Sequence, residues 1–204
     1  MSKTTKKFIE SHWLTFALKG AISIVAGLCL MFAPTGDESI SLLTQIAGWA
    51  MFGLAFIEVA NVIYRKSRSH NWGFPLVLGA IELSIAIALL YTFNPGMPSE
   101  DLVWVRIIML SGYVLFASIV TILMGFMSFS NMTDRFMWIV NGMLGAIVAF
   151  VMFGGTELGT GAHIQLFGSY LLINGITDLF FGVHSKDELL AAKEARRAAR
   201  KAKK

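Results

Sequence analysis

The sequence predicts an all-α fold, a six-helix transmembrane bundle built from three helical-hairpin repeats, with both termini cytoplasmic. Three observations carry this. Of 204 residues, 55% are hydrophobic and only 15% are charged, whereas a soluble domain carries about 25% charge. Six apolar runs each reach the ~20 residues that cross a hydrocarbon core as a helix. The connectors between the runs sort by charge. A soluble core would leave much of this apolar surface exposed in large patches.

The first run, Ser11–Ala33, contains "WLTFALKGAISIVAGLCLMFAP". The basic start "MSKTTKKF" resembles a signal peptide. The run behind it is too long for an h-region and five more follow, so it is expected to be a retained span. Cys29 lies inside it and is expected to be a small buried hydrophobe. The remaining runs are Ile40–Tyr64, Trp72–Phe93, Leu102–Met127, Arg135–Gly154 and His163–His184. None alternates with period two, which argues against a barrel. In lipid, backbone polar groups must be satisfied internally, which leaves helices.

The connectors "PTGDES", "NPGMPSED" and "GGTELGTGAH" hold five acids and no Lys or Arg. On the other side stand Lys3, Lys6, Lys7, Arg65, Lys66, Arg68, Arg135 and eight basic residues from Lys186 onward, fifteen of the seventeen Lys plus Arg. The positive-inside rule places that side in the cytoplasm. Trp13, Trp72 and Trp104 stand near span ends, as interfacial anchors do.

The runs also repeat. "WLTFALKGAISIVAGL", "WGFPLVLGAIELSIAI" and "RFMWIVNGMLGAIVAF" align so that Gly20, Gly79 and Gly142 each fall seven residues after the first letter. The return runs "GWAMFGLAFIE", "GYVLFASIVTI" and "YLLINGITDLF" match more loosely, with Gly53, Ala117 and Gly175 in register. Small residues let helices approach closely in a bilayer, so these glycines read as contact points rather than ligand sites. Ala80, Ser84 and Ala88 extend the same reading at four-residue spacing.

A hairpin of the form W-x6-G, an apolar run ending at Pro and a Gly-marked return, seen in Trp13, Gly20 and Pro34, resembles the HdeD-type acid-resistance membrane protein family. The likeness runs from Trp13 to about His184; the third copy lacks both Trp and Pro, and the second displaces its Pro by two residues. The resemblance implies a six-helix bacterial inner-membrane protein connected with acid stress. It brings no catalytic residues.

Six polar groups lie inside the spans. At 1.5 Å per residue, Lys19 is ~9 Å past Trp13. Glu58, Asp178 and Asn141 fall at the same depth on their own helices, and Glu82 and Asn174 lie deeper, Glu82 ~15 Å past Trp72. A buried charge costs about 2.5–3.5 kcal/mol on insertion scales, so such groups face the bundle interior and find partners. Lys19 is expected either to snorkel to the headgroups or to pair with Glu58 or Asp178. Glu82, without a short route to water, is the strongest functional candidate, with a facing Asn or Ser as its expected partner. Two functions remain: a non-enzymatic protein of acid or membrane stress tolerance, or a small proton or solute transporter using these carboxyls. Acids converging on a wet cavity open to one side favour the second; a dry core around them removes it.

No phosphate loop or nucleophile elbow occurs, and His12, His70, His163 and His184 lack metal-ligand spacing. We therefore expect no enzyme activity, cofactor or metal. The four histidines are expected to be interfacial or solvated. The transmembrane domain is expected over residues 1–185, with repeats at about 11–65, 72–127 and 135–184. Residues 186–204 form a separate tail with eight basic and three acidic residues. Its helix-forming composition predicts a continuation of the last span. Lys193, Arg196, Arg197, Arg200 and Lys201 are placed to meet anionic lipid headgroups, each worth about 1 kcal/mol near the surface. The partners expected are the lipid bilayer, a second copy of the chain or another membrane protein; without aromatic stacking residues in the tail, nucleic acid is not among them.

The charge sorting makes a direct prediction. A fluorescent reporter fused after Lys204 should be active in cells and an alkaline phosphatase there silent, with the phosphatase active when inserted at Gly96. The reverse pattern would overturn the orientation.

Overall fold

The computed structural model describes residues 3–32, 34, 37–65, 73–91, 99–128, 132–155 and 158–201, with side chains described over most of the spans. Six helices follow one another: α1 (Lys3–Phe32), α2 (Asp37–Arg65), α3 (Gly73–Tyr91), α4 (Ser99–Ser128), α5 (Met132–Gly154) and α6 (Gly159–Lys201). No strand occurs among the described residues. Among the described residues, five helices are long and apolar enough to cross a membrane. The apolar part of α3, Leu76–Tyr91, is shorter. Helix α6 has 43 residues, about 65 Å at 1.5 Å per residue, and so extends well past a ~30 Å hydrocarbon core. Gly159 opens it at φ 72°, a left-handed conformation that glycine adopts without steric cost. The side chains of His12, Lys193, Arg196, Arg197, Arg200 and Lys201 are not among those described, and His70, Trp72 and Pro95 lie outside the described residues.

The burial pattern is that of a protein in lipid. On α2, Leu42, Trp49, Phe56 and Ile63 recur every seventh residue and are 58–70% exposed. Buried instead are Lys19, Ser23, Glu82, Asn141, His163 and Asp178. Apolar side chains outside and polar ones inside suit a hydrocarbon solvent and would aggregate in water. The chain is a multi-pass helical membrane protein.

The helices close a ring in chain order, α6 returning onto α1, and the most extensive contacts are α1–α6, α4–α5 and α2–α3. The legs α1–α2, α3–α4 and α5–α6 touch less. Each of the three tight interfaces is antiparallel and fastened by glycine. A Cβ on Gly20 would meet the Leu179 backbone nitrogen at 2.6 Å and the Gly175 carbonyl at 2.7 Å. One on Gly142 would meet the Ser118 carbonyl at 2.8 Å, and one on Gly79 the Glu58 and Val59 side chains at 3.1–3.2 Å. Gly53, by contrast, has only the tip of Ile22 near it, at 3.9 Å. Along α1–α6 the fastening repeats: Gly27 against Gly168, Gly20 against Gly175, Trp13 and Ala17 against Gly182.

Two expectations from the sequence are corrected. Ala80 and Ser84 do not line a helix contact; both are exposed, with the Ser84 hydroxyl donating to the Ala80 carbonyl at 2.8 Å. Cys29 is exposed rather than buried. Hydropathy gives the depth of a residue in the bilayer but not which way round the helix it points.

The core divides lengthwise. Leu30, Leu43, Met51, Leu89, Leu110, Met152, Ile164, Phe167 and Leu171 are at most 1% exposed. They come from the late turns of α1, α3 and α5 and the early turns of α2, α4 and α6, so they fill one half of the bundle.

Gly20→Ala and Gly112→Ala should separate close contact from helix propensity. Nothing lies within 4 Å of a Cβ on Gly112, so alanine there should be neutral or stabilising by up to about 1 kcal/mol. At Gly20 the added methyl strikes backbone, and overpacking should outweigh that gain by about 1–3 kcal/mol. Thermal unfolding in detergent micelles checks the difference.

Candidate functional site

The other half of the bundle is less completely filled. A cavity of about 110 Å³ lies there, room for three or four waters at ~30 Å³ each. Its walls come from all six helices: Thr15, Phe16 and Lys19 of α1, Glu58 and Asn61 of α2, Leu78 and Glu82 of α3, Tyr113, Ala117, Val120, Thr121 and Met124 of α4, Trp138 of α5, and Tyr170, Asn174 and Asp178 of α6. Counted within the apolar spans, these are early residues of α1, α3 and α5 and middle to late residues of α2, α4 and α6. The cavity therefore occupies the half nearest Arg65 and Arg135, and the apolar core closes its far side.

Lys19, Glu58, Glu82, Asp178 and Asn174 line this one space. Lys19 forms an ion pair with Glu58 through Nζ and Oε1, tying α1 to α2. Its ammonium also interacts electrostatically with Glu82 and Asp178. Glu82 is 2% exposed. Its Oε1 accepts a hydrogen bond from the Tyr113 hydroxyl at 2.7 Å, so its partner is a tyrosine of α4 rather than an Asn or Ser. Glu82 Oε2 and Glu58 Oε2 are buried and accept nothing from the described residues. Asn141 is buried but stands outside the lining. Its amide nitrogen donates to Asn174 Oδ1 at 3.0 Å, linking α5 to α6.

Aromatic rings finish the walls. Tyr113 meets Phe167 and Tyr170 edge-on at 6.3 and 6.2 Å, sealing the deep end. Trp138 meets Phe16 at 6.0 Å and Phe181 at 5.5 Å. The α4 hydroxyls of Ser111, Ser118 and Thr121 donate to carbonyls four residues back. This satisfies them within their own helix.

Tyr113 and Tyr170 were not singled out in the sequence, although a tyrosine within an apolar run needs a partner for its hydroxyl when buried. Gly27, Gly168 and Gly182 were also missed; their seven-residue spacing with Gly20 and Gly175 was the available signal. His163 overturns the expectation of a solvated side chain. It is fully buried, and its ring nitrogens lie 2.8 Å from the Gly159 carbonyl and 2.9 Å from the Met152 carbonyl. It joins the end of α5 to the start of α6, far from the cavity. His184 is exposed and stacks on Phe180 at 6.0 Å. Among the described residues no group of His, Cys, Asp and Glu is arranged to hold a metal.

The fold and site define a helical membrane protein with an intramembrane cavity that three carboxyls and one lysine line. The family described as a short repeat of unknown function (DUF308) matches residues 11–91. That stretch spans α1 to α3 and includes Lys19, Glu58 and Glu82. No curated protein and no solved structure matches the chain.

The ion pair can be tested by a double-mutant cycle. Lys19→Met leaves Glu58 buried without its cation and should destabilise by about 3 kcal/mol. Adding Glu58→Leu should recover most of that loss in thermal or denaturant unfolding.

Proposed function

We propose that this chain is a non-enzymatic, multi-pass protein of a bacterial inner membrane that moves protons or a small solute by way of the carboxyl-lined cavity. The observation that carries this is the convergence of Glu58, Glu82 and Asp178, from three helices, on one cavity that holds a single basic side chain, Lys19. Intramembrane acids facing a polar cavity are the usual elements of ion and proton pathways. A purely structural role would have favoured a packed apolar interior, as in the opposite half. Because that half is filled, the site loads from one side and is not a continuous pore.

The orientation follows the positive-inside rule, with both termini and the cavity's near end cytoplasmic. Three hairpin repeats account for the recurrence of glycine at Gly20, Gly79 and Gly142, each facing a return helix of another hairpin. Acid or membrane stress tolerance is the physiological setting we favour. It is supported by the resemblance to the acid-resistance family and by the short-repeat match over α1 to α3. The tail meets anionic headgroups, and a second copy or another membrane protein is the partner to seek.

Proteoliposomes holding a pH gradient should lose it faster with the wild-type chain than with Glu82→Gln, several-fold at equal protein loading. Equal decay of the two gradients would remove the proton-handling reading.

A further inference from the structure

We propose that the cavity is a binding site for a small organic monocation, an alkylammonium. This rests on the solute-handling reading above and names the chemical class of the solute. Four observations point to it.

The first is charge. Three carboxyls face the cavity against one ammonium, and that ammonium is paired to Glu58. Glu82 and Asp178 remain as two carboxyls with no second cation among the described lining residues. Charge buried away from water has to be neutralised or paired. A monocation placed between them pairs with both and offsets one of the two charges.

The second is an open acceptor. Glu82 is 2% exposed and offers Oε2 with no hydrogen-bond donor among the described residues. Its other oxygen is fixed by Tyr113, so the carboxyl cannot turn freely to find one. An N–H donor or a cationic methyl group from a ligand fills that vacant direction.

The third is the wall chemistry. Tyr113, Tyr170 and Trp138 bring three aromatic rings to the same space as the acids. Aromatic faces attract alkylammonium groups through the ring quadrupole, most strongly when water is excluded. A hard inorganic cation instead takes six or more oxygen ligands, and no metal-type cluster occurs among the described residues.

The fourth is size. An apolar cavity of about 150 Å³ admits benzene. The present volume of about 110 Å³ admits a smaller molecule, on the scale of methylammonium to dimethylammonium.

The test is equilibrium dialysis of the full chain in detergent micelles, with radiolabelled methylammonium and dimethylammonium in separate runs. Wild type should bind at least one of them at one per chain. Glu82→Gln and Asp178→Asn should each weaken binding tenfold or more, with circular dichroism melting showing that they remain folded. If one variant fails to fold, the other decides. No binding of either probe to wild type at millimolar concentration overturns the proposal. So does unchanged affinity in a folded variant, or equal displacement by ethanol, a neutral molecule of similar size, or by sodium or potassium. Displacement by phosphatidylethanolamine assigns the ammonium to a lipid headgroup, and its absence to a free amine; both support the class. The two readings fail separately. Gradient decay that needs Glu82 without cation binding sinks only this inference, whereas bound cation without any gradient decay sinks the proton reading.

Discussion

The structure depends on how closely helix backbones approach. In lipid, apolar side chains gain nothing from leaving water, so helices associate only where van der Waals contact is dense. Glycine supplies this by removing the side chain that would hold the backbones apart. On α1 and α6 it recurs every seventh residue, about 10 Å along the axis, so Gly20–Gly175 and Gly27–Gly168 meet along one line. This interface joins the first and last spans and closes the ring. Without it the six helices would be an open row, and no cavity would be enclosed.

Closure explains how the polar groups are tolerated. The Lys19–Glu58 pair, the Tyr113–Glu82 hydrogen bond and the Asn141–Asn174 amide bond each join different helices. Each puts a group that would be costly in hydrocarbon against a partner. The partnering is incomplete, because Glu58 and Glu82 each keep an unused oxygen. Native interiors rarely leave such atoms buried without a reason. Here they lie on a space large enough to hold what they lack.

Much of the fold was legible in the sequence because lipid imposes simple rules. Span length, apolar composition and charged connectors gave six helices with boundaries near those observed. Lys19, Glu58, Asp178 and Asn141 were matched in depth by counting residues from the span ends; the first three line the cavity and Asn141 stands outside it. Rotation about the helix axis was not legible. Cys29, Ala80 and Ser84 point outward, and Tyr113 rather than Asn or Ser meets Glu82, because almost every face of these helices is apolar. A soluble helix announces its buried side through amphipathicity, whereas a helix in lipid is marked mainly by small and polar residues. His163 was missed for a related reason. It stands at the edge of an apolar run, where a solvated histidine and one bonded to two carbonyls look alike.

The lengthwise division of the bundle constrains any mechanism. The filled half contains fully buried large side chains from every helix, and dense apolar contact does not open gradually. Passage to the far side therefore requires helices to separate as units. The α1–α6, α2–α3 and α4–α5 interfaces resist this most, being the most extensive. Around the ring, α3–α4 is the least extensive contact between neighbours, and Tyr113–Glu82 is a hydrogen bond that crosses it. The carboxyl that faces the cavity is thus also a tie across the weakest seam. A ligand or proton taken up by Glu82 acts on that tie directly, so occupancy of the site and the hold between α3 and α4 are coupled through one side chain.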